Sequence, residues 1–230
     1  MNTIYLVRHG ENPANITMEF ASRNIDYPLN EKGREQAQQT GEYLAGKGIQ
    51  EIFASPLKRA RETAQIIASR LGLPVTEVEQ FREIEVGDLE GQPVTPELWM
   101  QHDDIFFRWL SGDADAAFPN GDNYHTLWGR MRAGLAQITQ GKQNRKIVVV
   151  AHGGLFTATM PRLCPAADMR AILMQPNRNC SVSEVRLETR NGEIHGELVS
   201  WGYSDHLSGR AAEFVLGFPK RGNLYPDRGV

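Results

Sequence analysis

Cysteine is scarce: Cys164 and Cys180 are the only two in 230 residues, and they are not spaced as Cys-x-x-Cys. That excludes a disulfide-stapled scaffold and a zinc framework, and leaves two core thiols of a reducing compartment as the expectation. Long apolar runs are missing too. The longest, Ile4 to Val7 and Ile147 to Ala151, fall far short of the roughly 20 residues that span a bilayer. No basic segment followed by a signal-length apolar stretch opens the chain, so the expectation is a cytoplasmic protein with no membrane partner. An excess of one charge is also lacking, the formal net charge being -3. There is no global basic field of the kind nucleic acid binding leaves, and any anion must be held by local cations. With 40% hydrophobic and 23% charged residues the chain can bury a sizeable core, and it reads as one domain over 1–230.

What the chain does contain is two strands of one design. Ile4-Tyr5-Leu6-Val7 runs into Arg8-His9-Gly10-Glu11, and Ile147-Val148-Val149-Val150-Ala151 runs into His152-Gly153-Gly154. A buried parallel strand that ends in polar groups delivers them to the carboxyl edge of a sheet, where open α/β proteins do their chemistry. An imidazole beside an Arg and a Gly can attack phosphorus, since Arg recognises phosphate oxygens bidentately and Gly lets backbone approach a ligand.

Between these strands, Asn12-Pro13-Ala14-Asn15 reads as a turn and the stretch through Asp26-Tyr27-Pro28-Leu29 as a polar loop. Asn30 is a fitting N-cap for a helix from Glu31 to about Lys47, with Gly48 as its stop. Glu51 to Ala54 reads as a strand, and Ser55-Pro56 as the N-cap and first-turn proline of the next helix, which ends at Gly72. Arg59 then falls in the first turn, where backbone amides and the helix dipole favour an anion. Lys58 and Arg61 read as solvated charges. Val75 to Val78 is a short strand, followed by a loop with carboxylates at Glu83, Glu85, Asp88 and Glu90. One of them, held against Phe81 and Ile84, could serve as a general acid, but spacing does not rank them.

Pro93 to Phe118 mixes Trp99, Phe106, Phe107 and Trp109 with His102, Asp103, Asp104, Asp113 and Asp115. This reads as a helical insertion that could overhang the strand edges as a lid of about 93–122. Asn120-Gly121-Asp122 introduces a helix to about Gln140. Leu155 to Met160 opens another that Pro161 must kink or end. Ser181 to Leu187 and Gly196 to Trp201, around Asn191-Gly192, read as an edge hairpin, and 207–230 as a tail without period. The class is α/β: a three-layer α/β/α sandwich with a largely parallel sheet, an inserted helical lid and an edge hairpin.

Taken together, these pieces resemble the histidine phosphatase superfamily, the phosphoglycerate mutase-like group, over about Thr3 to Leu207. The blocks are Arg8-His9-Gly10-Glu11 with Asn15; Asp26-Tyr27-Pro28-Leu29 with Gly33 and Gln36-Ala37; Ser55-Pro56-Leu57 with Arg59-Ala60 and Thr63-Ala64; Arg82-Glu83 with Gly87 and Glu90-Gly91; and His152-Gly153-Gly154. The resemblance implies His9 as nucleophile, Glu83 as general acid and base, and Arg8, Arg59 and His152 as a phosphate pocket. Asn15 and Gly153 would join in binding substrate, with no metal and no cofactor. Asn12 stands where the family commonly has Thr and Arg23 where it often has Gly, so Arg23 is a further candidate, able to attract a second phosphate.

The implied activity is hydrolysis of a small phosphorylated metabolite through a phosphohistidine. Phosphoglycerate mutase-type transfer is the alternative, and a silent phosphate-binding domain a third. The transferring phosphoryl group would be met by Arg8, Arg59 and a protonated His152, while His9 would have to be neutral, its second ring nitrogen donating to a backbone carbonyl. His102, His125, His195 and His206 lack the helical spacing of metal ligands. The oligomeric state, a homodimer included, is left open by the sequence.

Overall fold

Along the first strand the side chains alternate between two cores. Ile4 and Leu6 join a cluster with Phe81, Leu127 and Phe156, whereas Tyr5 and Val7 join one with Leu44, Ala64 and Ile67. The second central strand does the same, Ile147, Val149 and Ala151 facing one cluster and Val148 and Val150 the other. A sheet apolar on both faces needs helices on both. The computed structural model, which describes residues 1–175, 177–190 and 193–214, has that arrangement.

The chain runs β1 (Asn2–Arg8), α1 (Pro13–Thr17), α2 (Glu31–Ala45), β2 (Glu51–Ala54), α3 (Lys58–Leu71), β3 (Val75–Glu77), α4 (Pro96–Leu110), α5 (Tyr124–Thr139), β4 (Lys146–Ala151), α6 (Gly153–Leu163), α7 (Met169–Met174), β5 (Val182–Arg190) and β6 (Glu193–Tyr203). The strand order is β3-β2-β4-β1-β5-β6. The first four strands are mutually parallel, and β5 and β6 add an antiparallel edge. Helices α2 and α3 supply Leu44, Ala60, Ala64 and Ile67 to one core; α4, α5 and α6 supply Trp99, Leu127 and Phe156 to the other. Cys164 and Cys180 are both buried and free. No helix among the described residues is long and apolar enough to cross a membrane.

Several boundaries differ from the sequence expectation. Ser55 does not cap α3: the cap position is Leu57, and the Lys58 amide donates instead to the Asp26 carboxylate at 2.9 Å. Asn12 and Asn15 form a reciprocal capping box that makes α1 a helix where a turn was expected. Helix α5 is capped by Asn123, three residues after Asn120. Pro161 neither starts nor ends α6, which continues to Leu163. The N–H it lacks is the one that would bond the Thr157 carbonyl. In the expected tail, Gly209–Ala212 forms a 3₁₀ turn against α2, with Gln36 Nε2 donating to the Ala211 carbonyl at 3.1 Å. The Asn191-Gly192 turn and the tail from 215 onward lie outside the described residues.

The start of α2 is fastened to the end of β1. The Asn30 side chain accepts from the Gly33 amide at 2.8 Å and donates to the Glu11 carboxylate at 2.9 Å, and Gln36 Oε1 accepts the Glu11 amide at 2.9 Å. Backbones meet so closely here that a Cβ on Gly33 would lie 2.1 Å from the Glu11 carbonyl oxygen, and one on Gly10 2.5 Å from that of Gly33. The glycine of the His9-Gly10 pair therefore serves helix–strand contact, not ligand approach as the sequence suggested. Helix propensity alone would favour Gly33→Ala by about 1 kcal/mol. The collision dominates, and we expect a net loss of about 1–3 kcal/mol in urea unfolding; a neutral or stabilising result would contradict the close packing.

Candidate active site

Three parallel strands end side by side. The His9 amide donates to the Ala151 carbonyl at 2.9 Å and the Ser55 amide to that of Val150 at 2.9 Å, so β1, β4 and β2 bring His9, His152 and Ser55 to one edge. His9 is 4% exposed. Its Nδ1 lies 2.8 Å from the Gly10 carbonyl oxygen, and its Nε2 accepts from Arg59 Nε at 3.1 Å. Those partners select the tautomer with the proton on Nδ1 and a lone pair on Nε2. Burial, then the Arg59 and Arg8 charges, hold its pKa well below the usual 6.5, so the ring is neutral.

His152 is fully buried, its ring centroid 5.3 Å from that of His9 and its Nε2 2.7 Å from Ser55 Oγ. The sequence led to the expectation of a protonated His152, and its surroundings oppose that charge. Burial first, then Arg59, His9 and Arg8, push its pKa well below 6.5, which makes it a neutral hydrogen-bonding group.

The guanidinium groups lie beside these rings. Arg59 is 3% exposed, donates through Nη2 to the Ala21 carbonyl at 2.7 Å, and has Nη1 3.8 Å from Asp26. Arg8 donates through Nη1 to the Asn177 carbonyl. Burial pulls the pKa of Arg8 down to about 10, opposed chiefly by the Glu83 charge, and it stays protonated at neutral pH. A Cβ on Gly153 would meet Arg8 at 3.3 Å, so that glycine gives the Arg8 side chain its course.

Of the four carboxylates that spacing could not rank, Glu83, the one the resemblance implied, alone lines the cavity around His9. Its oxygens accept the Leu155 amide at 2.7 Å and the Gly154 amide at 3.2 Å, at the start of α6, besides that of Ile84 at 2.9 Å. A Cβ at Gly154 would sit 2.8 Å from Glu83 Oε1, so the second glycine after His152 makes room for this carboxylate. The other three are occupied elsewhere. Glu85 pairs with Arg23 at 3.7 Å, and Asp88 accepts from Asn120 at 2.9 Å. Glu90 accepts the amides of Ser22, Arg23, Asn24 and Ile25. Arg23 is thus not brought to the site and does not line the cavity.

Sequence reasoning passed over several groups that hold the site. Asn179 donates to the His9 carbonyl and to Asn15 Oδ1, each at 3.0 Å, so the Asn15 oxygen is used by the scaffold. Arg130, ion-paired with Asp122 at 2.6 Å, donates to the Arg82 and Glu83 carbonyls at 3.0 and 3.3 Å and fixes the backbone that carries Glu83. No spacing signal marks these residues; each acts across a long stretch of chain.

The cavity has a volume of about 240 Å³, just under the roughly 300–1,000 Å³ of small-molecule sites. Arg8 Nε, Asn12 Nδ2, Ser22 Oγ, Arg59 Nη1 and Asn177 Nδ2 are buried without a hydrogen-bond partner, and all five residues line it. His152 Nδ1 is likewise unpartnered, although His152 itself is not among the lining residues. Each buried donor left unsatisfied costs about 1–3 kcal/mol. Such a cluster, around two fixed positive charges, fits an acceptor-rich anion. No group of three or more metal-ligating side chains occurs among the described residues.

Comparison with known proteins gives the same direction. The model of the histidine phosphatase superfamily (branch 1) matches residues 4–198. An uncharacterized phosphatase, PhoE, of Bacillus subtilis is 36% identical over 163 residues, covering 71% of this chain and 78% of its own. A probable phosphoglycerate mutase, GpmB, of Salmonella arizonae is 34% identical over 217 residues, 93% of this chain and 98% of its own. Among solved structures, a mycobacterial glucosyl-3-phosphoglycerate phosphatase in complex with VO3 superposes with TM-score 0.74 at 25% identity, over 89% of this chain and 100% of that one. Bacillus stearothermophilus YhfR gives 0.71 at 27%, over 90% and 99%. With two strand-end histidines, a buried Arg59 and a partly buried Arg8 at one sheet edge, and a family model matched over residues 4–198, the chain belongs to the histidine phosphatase superfamily.

Proposed function

We propose that the protein is a phosphomonoester hydrolase that works through a phosphohistidine on His9, with a small phosphorylated metabolite as substrate. The observation that carries this reading is the pairing of a neutral His9, its Nε2 lone pair facing Arg59, with the cluster of unpartnered buried donors around it. A phosphate monoester supplies the acceptors those donors lack. Arg59 Nε passes from His9 Nε2 to a phosphoryl oxygen, freeing the lone pair to attack phosphorus. Arg8, Asn12 and His152 Nδ1 meet the remaining equatorial charge, so the phosphoryl group is held by side chains without a metal or cofactor.

With the anionic ester bound, Glu83 first takes up a proton from solvent; the bond from Nε2 to phosphorus then forms as the ester P–O bond breaks, and Glu83 gives that proton to the leaving oxygen. Glu83 then takes a proton from a water that attacks the same phosphorus, and His9 is released. The segment around α4, with Trp99, His102 and Phe106 lining the cavity, serves as a lid over the leaving group within one domain. The phosphoglycerate mutase reading is the second one, because a relative covering 93% of this chain carries that name. A turnover screen of phosphate monoesters beside a bisphosphate-primed mutase assay separates the two.

His9→Ala is expected to abolish turnover and the acid-labile, base-stable phosphoenzyme of the wild type while leaving the unfolding midpoint nearly unchanged. Label retained in the variant would remove His9 as nucleophile. Glu83→Gln should slow alkyl phosphates on the order of a hundredfold or more in single-turnover phosphorylation and spare aryl phosphates with acidic phenols, whose departure needs no proton. Equal losses on both would make Glu83 an orienting group. For pH, a histidine with a lowered pKa is neutral, and competent to attack, everywhere above that value. Once corrected for the substrate's own second ionisation near about 6, kcat/KM should show no loss of activity between pH 8 and 6.5; an enzyme group titrating at or above 6.5 on the acid limb would contradict a neutral His9.

A further inference from the structure

Beyond the groups that would hold a phosphoryl, the cavity is built for something else. Phe20 and Trp99 pack with ring centroids 4.6 Å apart. His102 is stacked among Phe20 at 5.0 Å, Phe118 at 5.5 Å and Phe106 at 6.0 Å, all with interplanar angles below 30°. Its Nδ1 lies 3.1 Å from Asp103 Oδ1, and Trp99 Nε1 donates to the Met18 carbonyl at 3.1 Å, which ties this aromatic wall to the end of α1. Ile84, Val86, Ile172 and Leu173 also line the cavity.

Charge is distributed just as unevenly. Among the described residues, Arg8 and Arg59 are the lining residues that carry a permanent positive charge, and both belong to the cluster beside His9. Besides Glu83, the lining carboxylates are Glu19 and Asp103, the latter 9% exposed. Arg23, the cation that could have met a second anionic group, is turned to Glu85.

We propose that the site selects phosphate monoesters whose alcohol carries an uncharged apolar ring, and that Asp103 is a specificity-determining residue that disfavours phosphorylated acids and bisphosphates. This rests on the phosphatase reading above and names its substrate class. A flat ring finds aromatic and aliphatic surface at van der Waals distance. A carboxylate or second phosphate on the same alcohol meets Asp103 and Glu19 in a site of reduced dielectric, with no further Arg or Lys among the described lining residues to offset them, and such repulsion is how a site rejects a competitor.

The test uses the full-length protein and three primary alkyl esters matched in chemistry: 2-phenylethyl phosphate, glycerol 1-phosphate and 3-phosphoglycerate. The phenylethyl ester should exceed glycerol phosphate in kcat/KM by about tenfold or more, as expected for apolar groups in a fitted pocket, and 3-phosphoglycerate should fall at least about tenfold below it. Asp103→Asn should raise 3-phosphoglycerate turnover about tenfold. Phe106→Ala should bring the phenylethyl to glycerol ratio toward one. Because Phe106 is part of the core, Leu173→Ala, at a partly buried position, repeats the test with a smaller expected fall of about threefold. Near-equal wild-type rates for the phenylethyl and glycerol esters, or a 3-phosphoglycerate preference that Asp103→Asn leaves unchanged, would overturn the substrate class while phosphoenzyme formation upholds the phosphatase reading. No hydrolysis and no phosphoenzyme with any ester would overturn both.

Discussion

Two guanidinium groups set beside one imidazole, Arg59 buried and Arg8 partly buried, are the constraint on which the remainder of this structure depends. Arg8 and Arg59 each lose hydration and repel the other, and for both the largest opposing influence is the charge of Glu83. Desolvated cations are tolerated only when hydrogen-bonded and offset. The carbonyls of Asn177 and Ala21 and the carboxylates of Glu83 and Asp26 do that here. Burial, aided by the same two charges, lowers the pKa of His9 and His152, so the pocket concentrates its positive charge in groups that cannot give up a proton at neutral pH and its lone pair in one that does not hold a second.

The fold contributes position. Parallel pairing of β1 with β4 and β4 with β2 aligns three strand ends, and α3 and α6 begin there, presenting Arg59 in a first turn and the Gly154 and Leu155 amides to Glu83. Loops are then fixed by carboxylates accepting backbone amides. Asp26 takes that of Lys58, and Glu90 takes four successive amides of 22–25, which hold Ala21 and Ser22 against the cavity. Burial of Glu90 opposes its charge, yet those amides outweigh it and keep its pKa below the usual 4.5. The loop is therefore best held above the carboxylate range and loosens as pH falls through that lowered value.

Relatives of this chain are named as a phosphatase and as probable phosphoglycerate mutases, so the reaction has to be argued from the site and from the lining of the cavity away from His9. Here that lining comes largely from α4 and from Glu19 and Phe20, just after α1.

Local chemistry was legible along the chain. Apolar runs ending in His9 and His152, Asn30 ahead of an amphipathic helix, Gly72 in a left-handed cap and alternation in the edge hairpin are each signals a few residues long, because strand burial and helix capping are decided by near neighbours. The α/β class and the two histidine edges followed from them. That Arg23 turns to Glu85, that the Lys58 amide at the start of α3 meets Asp26 and not Ser55, and that the surroundings of His152 oppose its charge did not, and among the carboxylates Glu83 was singled out only by the family resemblance. Each depends on partners far away in sequence: 32 residues between Asp26 and Lys58, 68 between Ser22 and Glu90, 170 between His9 and Asn179. A side chain's partner and its dielectric surroundings come into being when distant segments pack, so protonation state and orientation at the site belong to the folded chain, while the elements that carry those side chains were already written in their local pattern.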